Sequence, residues 1–501
     1  MALARVYSRA VLGMEAPLVT VEVHLSNGLP GFTLVGLPET AVKESRERVR
    51  SAILNANLEF PQRRITINLA PAELPKAGGR FDLAMAIGIL AASNQLRGVA
   101  LDRLEFQGEL ALSGEVRAVP AILPSLLAAG REGRLSIVPQ GNGMEAALPR
   151  QSEVRLCGHL LQVLEFLRGE TELPVPVTEA APTAPVLPDF SEVIGQEGAK
   201  RALVVAAAGA HNLLLRGPPG TGKSMLAARL PGILPALDFE QAIEVATLHG
   251  MAGKVPDAIA WACPPFRAPH HTSSGVALVG GGSSLHPGEV SLAHHGVLFL
   301  DELPEFAPKA LEALREPLEN GSILISRARY QVSLPARFML LATCNNCPCG
   351  YSGDGEKECR CTPDRIRQYQ QRLSGPLLDR IDMQVWMPRL RQEERERLLR
   401  QPLSADKQSP ALRQQVQACR LRQMERQNKL NARLEQGELQ EVCSLREGEQ
   451  ALLRQAMQQY QLSTRACLRI LRIARTIADL AGSERVERLQ LLETIQYRQG
   501  E

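Results

Sequence analysis

The 501-residue chain has no apolar run long enough to cross a bilayer. Its longest small-apolar stretch, Ala202 to Ala210, is about half of the roughly 20 residues a span needs. The N-terminus, Met1-Ala-Leu-Ala-Arg-Val-Tyr-Ser-Arg9, lacks a continuous apolar segment ending in a cleavage site, so no export signal is expected. A cytoplasmic protein with no membrane partner is the expectation that follows. Excess charge is missing too. The formal net charge is +3, too small to argue for a nucleic-acid partner, which has to be sought in local segments. There is no internal repeat, and compositional bias is confined to a Pro/Ala/Val/Thr-rich stretch at 171–188. Cysteine is sparse except in one place. Six of the ten are scattered, as reduced thiols would be, and four crowd between 347 and 361.

What is present divides the chain. The length suggests roughly two to four domains. Residues 1–170 mix strand-like pieces such as Leu18 to His24 with helical ones, Ala41 to Leu58 and Phe81 to Ala92. The biased stretch 171–188 holds Pro174, Pro176, Pro182, Pro185 and Pro188 and reads as an extended linker. From 189 to 390 strands and helices alternate. Leu213-Leu-Leu215, Val297 to Leu300 and Phe338 to Ala342 have the short apolar form of buried parallel strands. From 391 to 501 Gly and Pro thin out and Arg, Gln, Glu and Leu dominate, which predicts a helical bundle. The fold class is α/β.

The middle segment carries the chemistry. Gly217-Pro218-Pro219-Gly220-Thr221-Gly222-Lys223-Ser224 follows an apolar strand and precedes a helical run, Met225 to Leu230. That is the context a phosphate-binding P-loop requires. Glycines let backbone N–H groups face phosphate oxygens, and the helix start adds positive potential. Lys223 is expected on the β- and γ-phosphates of ATP, and Ser224 on Mg²⁺. Downstream, Val297-Leu-Phe-Leu-Asp301-Glu302 is an apolar strand delivering two carboxylates. Such a Walker B pair assigns Asp301 to Mg²⁺ through water and Glu302 to polarising the attacking water. Asn345 ends the next apolar strand. It either orients that water or caps a turn.

Three further features have competing readings. The first is Cys347-Pro-Cys349-Gly with Cys359-Arg-Cys361. The four thiols suggest a structural Zn²⁺ site, with an Fe–S cluster or free thiols as alternatives. The second is the Gly/Ser-rich segment Phe266 to Ser284 with Ile323 to Leu334, a hairpin pattern carrying Arg327 and Arg329 near its turn. Long loops inside a compact domain are often functional, and arginines on a hairpin suit a phosphate backbone or an intersubunit contact. His270 and His271 lack a partner at ligand spacing, which favours loop hydrogen bonds over metal binding. The third is the tail series Arg465, Arg469, Arg472 and Arg475 after Ser463-Thr. Their three- and four-residue steps predict one polar stripe, normally a solvated face.

The order P-loop, Walker B, Asn345 matches the AAA+ ATPases, in which that Asn is called sensor 1. Ser374-Gly-Pro-Leu-Leu-Asp-Arg380-Ile-Asp382 resembles the arginine-finger segment of the magnesium-chelatase and MCM branches. The resemblance implies that Arg380 reaches a neighbouring subunit's γ-phosphate. A salt bridge to Asp379 or Asp382 is the alternative. Arg465 matches sensor 2. The two insertions are typical of the same branch, where they grip substrate in a ring pore. Together with Asp189 to Leu203, His211-Asn-Leu-Leu-Leu215, Cys347-Pro-Cys-Gly350 and Ala474 to Leu480, these motifs closely resemble the ComM/YifB family over nearly the whole chain. That resemblance implies a hexameric ATP-driven DNA helicase promoting branch migration in natural transformation. The alternatives are a chelatase-type ATPase remodelling a protein partner, and a protein remodeller or peptidase. It also implies that residues 1–170 are similar to the Lon proteolytic fold, through Pro71 to Gly79 and Gly108 to Val119. No Ser lies between Pro71 and Ala92, and Leu123 stands where the active family has its Lys, so peptidase activity is not expected.

Overall fold

A computed structural model of the chain describes residues 2–36, 40–76, 78–177, 187–254, 262–281, 286–326, 331–394, 396 and 406–498. Two compact units emerge: Met1–Ala184 with Phe239–Trp261 and Leu324–Leu334, and Pro185–Asp238 with Ala262–Ile323 and Pro335–Glu501. No helix of the described residues is long and apolar enough to cross a membrane.

The first unit is built on a seven-stranded mixed sheet. Its strands run, in spatial order, Gly31–Val35, Arg64–Ala70, Leu18–Ser26, Ala2–Arg9, Leu104–Phe106, Leu135–Pro139 and Val154–Cys157. Leu18–Ser26 shows why the sequence folds this way. Val19, Val21, Val23 and Leu25 are buried, while the residues between them are only partly so. Period-two alternation puts one face on the core. The core-facing helix Asp82–Ala92 is buried on nearly every side. At the start of the proline-rich stretch, Leu173 is buried and the Pro174 carbonyl accepts the Leu156 N–H at 2.8 Å. Residues 178–186 lie outside the description.

The second unit has a five-stranded, wholly parallel sheet in the order Phe266–Arg267, Val297–Leu300, Met339–Cys344, Leu213–Arg216, Met383–Trp386. The continuous apolar runs expected as buried strands are these strands. Every residue of Val297–Leu300 and Met339–Cys344 is buried, as a sheet covered on both faces demands. The P-loop strand Leu213–Arg216 lies between the two strands that come last in the chain, so the strand order reverses beside it. Ligand crevices in open α/β sheets form at such reversals, beyond the strands' C-terminal ends. The tail is helical: Ser409–Gln427, Gln436–Val442, Glu447–Gln459, Thr464–Leu480 and Arg488–Gln496. A cluster including Leu434, Leu439, Ile470, Ala474 and Leu491 forms its core.

Three expectations need correction. The helix after the P-loop covers only Lys223–Ala227, with a 3₁₀ turn at Leu230–Ile233. Pro231 would clash with the Ala227 carbonyl if the helix ran on. The Gly/Ser-rich segment is not all loop. Gly275–Val279 is a short helix, started by Ser274 Oγ accepting the Ala277 N–H at 3.2 Å. Beyond Arg465, which is exposed, the arginine stripe is not a solvated face either. Arg475 is buried and donates to Asp479 at 2.9 Å and to the Glu484 carbonyl at 2.7 Å. Arg472 donates to the Leu434 carbonyl at 2.8 Å. Arg469 faces Asp382 at 3.5 Å, its side chain only 11% exposed. Arginine stems cover apolar surface while their planar heads find acceptors. The hairpin strands are Ser322–Ser326 and Gln331–Pro335. Arg327 and Arg329 lie outside the described residues.

Candidate nucleotide site and cysteine cluster

Sheet register assembles the site. Arg216 pairs with Cys344, which sets Gly217 level with Asn345. Leu300 pairs with Ala342, which sets Asp301 level with Thr343. Gly217 passes so close to the next strand's exit that a Cβ there would meet the Met387 carbonyl oxygen at 2.3 Å. Gly222, at φ 87°, turns the chain into the helix that Lys223 begins, a backbone state glycine adopts without strain.

Lys223 is buried. Its ammonium donates to the Gly217 and Pro218 carbonyls, both at 2.8 Å, and to Asn345 Oδ1 at 3.1 Å. Burial holds this group below the usual lysine range, with Cys344, Asp301 and Glu302 opposing the shift. Ser224 Oγ lies 3.0 and 2.8 Å from the two carboxylate oxygens of Asp301. Mg²⁺ takes hard oxygens and keeps several waters, so the pair fits that ion with Ser224 as a ligand and Asp301 held through one of those waters. Glu302 is exposed in the left-handed region, φ 55° and ψ 52°, a strained state for a non-glycine residue.

A residue that sequence reasoning missed explains how that strain is held. Thr343 Oγ1 accepts the Glu302 N–H at 2.9 Å and donates to Asp301 Oδ1. One buried hydroxyl thereby holds the Asp301 carboxylate and the Glu302 backbone. A signal existed: Thr343 is a polar residue inside a strand buried along its whole length, and such a group needs partners. Gln196 was also missed. Its side-chain amide donates to the Pro388 carbonyl at 2.7 Å and lies 3.4 Å from the Thr221 carbonyl, bracing the P-loop.

Lys223–Asn345 and Ser224–Asp301 are thus two hydrogen-bonded pairs, side by side because Lys223 and Ser224 are consecutive, with Glu302 following Asp301. The structure brings neither Arg380 nor Arg465 into either pair. Arg380 pairs with Glu319, not with Asp379 or Asp382, and donates to the Pro376 carbonyl at 2.8 Å. Arg465 is exposed in the first turn of Thr464–Leu480, next to the capping Ser463. His270 Nδ1 lies 2.9 Å from Thr272 Oγ1, the loop hydrogen bond expected of it.

The four cysteines converge. Cys347 Sγ is 3.4 Å from Cys349 Sγ and 3.6 Å from Cys359 Sγ, and all four ligand atoms including that of Cys361 lie within 4.8 Å of one another. Tetrahedral thiolates at the Zn–S distance are separated by about 3.8 Å, so the donors fit zinc. The turn abuts the nucleotide loop: a Cβ on Gly350 would meet Pro219 Cδ at 2.7 Å.

Comparison with known proteins agrees with this anatomy. The family described as magnesium chelatase, subunit ChlI, matches residues 189–395. Subunit ChlI of Mg-chelatase matches 21–142, and the ChlI C-terminal family matches 406–498. Competence protein ComM of Haemophilus influenzae is 48% identical over 99% of this chain and 98% of its own length. The YifB protein of Escherichia coli is 48% identical over 99% and 97%. The magnesium-chelatase 38 kDa subunit of Rhodobacter capsulatus is 27% identical over 34% of this chain and 53% of its own. A parallel-sheet unit with a P-loop and Walker B strand, a helical tail and near full-length identity together place this chain in the ComM/YifB family of magnesium-chelatase-like AAA+ proteins.

Proposed function

We infer that the chain is an ATPase whose site is completed by a neighbouring copy in a hexameric ring, and that the ring is a DNA motor of the branch-migrating helicase type. The observation that carries the first step is the pairing of Lys223 with Asn345 and of Ser224 with Asp301 beside Glu302, with Arg380 outside both pairs. ATP phosphates are stronger acceptors for the Lys223 ammonium than the amide carbonyls that hold it. Glu302 is free at the surface to take a proton from water. Mg²⁺, held by Ser224 and Asp301, would offset charge on the phosphates. Arg380 is assigned to the same developing charge in the next subunit and Arg465 to the nucleotide of its own. Arg327 and Arg329, which fall in sequence between strands Ser322–Ser326 and Gln331–Pro335, remain the proposed DNA contacts.

The DNA substrate is supported by the near full-length likeness to a protein named for competence and by the two insertions. A second reading, an ATPase remodelling a protein partner, is favoured by the magnesium-chelatase family matches and the partial match to a magnesium-chelatase subunit. Single-stranded or branched DNA should raise the ATPase rate several-fold, and forks should be unwound with ATP. Absence of both DNA binding and stimulation in an ATP-loaded assembly would sink the DNA reading.

We assign the cysteine cluster to structural Zn²⁺. With four protein ligands and no open position, the ion would pin the loop, not react. Replacing Cys347 and Cys359 by Ser should lower bound zinc from about one per chain to background, read by elemental analysis. Unchanged zinc would remove the assignment. The N-terminal unit is read as a Lon-like domain without peptidase activity. Lys76, its buried lysine, donates to the Pro71 and Leu74 carbonyls and has no Ser in its segment to activate.

A further inference from the structure

The His211-Asn212 pair precedes the P-loop strand, and nothing in the nucleotide chemistry uses it. Asn212 spends its polar groups on two neighbouring segments. Its side-chain amide donates to the Arg380 carbonyl at 2.8 Å, and its Oδ1 accepts the Leu340 N–H at 2.8 Å. Its backbone N–H goes to Asp382 Oδ2 at 2.9 Å, and its carbonyl accepts from Asp382 and Met383, both at 3.0 Å. The stem of the Arg380 loop is therefore tied to the start of the sensor 1 strand. His211 is fully buried, and its Nε2 lies 2.7 Å from Thr476 Oγ1 on helix Thr464–Leu480. Burial pushes this imidazole down to about 4, so it is neutral at pH 7. Thr476 Oγ1 donates to the Arg472 carbonyl, so Nε2 carries the hydrogen of the His211–Thr476 bond. The same helix supplies Arg469, 3.5 Å from Asp382 Oδ1, both side chains nearly buried.

We propose that Asn212, Asp382 and Arg469 are positioning residues for Arg380, a bracket that ties its loop to the sensor 1 strand and to the helix whose first turn carries Arg465. The inference rests on the reading of Arg380 as a group acting on the neighbouring subunit's ATP. A group that must meet a phosphate to within a fraction of an ångström needs a supported backbone. Asn212→Ala leaves the Arg380 carbonyl and the Leu340 N–H without that support. Helix Thr464–Leu480 would pass its position to the loop through the Arg469–Asp382 pair and the His211–Thr476 bond.

The test mixes subunits. Asn212→Ala protein alone should lose about 10- to 100-fold in turnover, with its own ATP affinity kept within about twofold. Lys223→Ala subunits cannot hold ATP but present an intact Arg380. Mixing the two should restore ATPase activity above either alone, because some interfaces then join an intact ATP site to a supported Arg380. No recovery would overturn the bracket, since the defect would then lie in the subunit's own site. Arg380→Ala mixed with Lys223→Ala is the parallel arm. If that pair also fails to recover, the Arg380 reading is what has failed. If it recovers while Asn212→Ala does not, the bracket alone is wrong. Should Asn212→Ala not fold, by circular dichroism, Arg469→Gln carries the same test with the same outcomes.

Discussion

Glu302→Gln is expected to bind ATP within about twofold of the parent chain and to hydrolyse it about 10²- to 10⁴-fold more slowly, the range general-base removal gives. Shape is preserved, because the Glu302 N–H, not its side chain, bonds to Thr343. The amide cannot take a proton. Lys223, Ser224 and Asp301 are untouched, so phosphate binding survives. Nucleotide titration against steady-state phosphate release separates the two effects. Normal turnover would show that another group polarises the water.

Arg380→Ala should lower turnover by about 10³-fold or more, the effect of removing a charge that meets the transferring phosphoryl group. Stability should move far less than turnover. In the single chain Arg380, its side chain 15% exposed, pairs with Glu319, whose side chain is 56% exposed, and a pair open to water on one side contributes about 1 kcal/mol. A large kinetic loss with a small shift in melting temperature and unchanged assembly by sedimentation is the expected pattern. Wild-type turnover would return Arg380 to the role of a surface ion pair.

Much of this site was legible because its parts are local. A P-loop is a contiguous string, and four apolar residues before two carboxylates announce their own strand end. Asn345 could be named because it too ends such a run. Thr343 could not, since its importance lies in touching Asp301 and Glu302, far away in sequence. The arginine stripe was misjudged for a related reason. Helical spacing says which residues share a face, but not that Asp479, Leu434 and Asp382 stand opposite as acceptors. The Gly275–Val279 helix was hidden by its composition. Glycine disfavours a helix only by about 1 kcal/mol, and the Ser274 cap and burial of Leu278 offset it. Glu319 was invisible as the Arg380 partner because proximity in sequence favoured the two aspartates.

The parallel sheet behaves as a ruler. The pairings of Arg216 with Cys344 and of Leu300 with Ala342 set every spacing in the nucleotide site. The length of chain between those strands sets none. The excursions from Phe266 to Val297 and, beyond Glu302, on to Met339 can therefore lengthen, shorten or change sequence without moving Lys223 away from Asn345, since closing a longer loop costs only logarithmically more. A one-residue slip of Met339–Cys344, by contrast, would part Lys223 from Asn345 and Asp301 from Thr343 together. Substrate-facing segments on such a frame are free to diversify, while the engine beneath them tolerates no change of register.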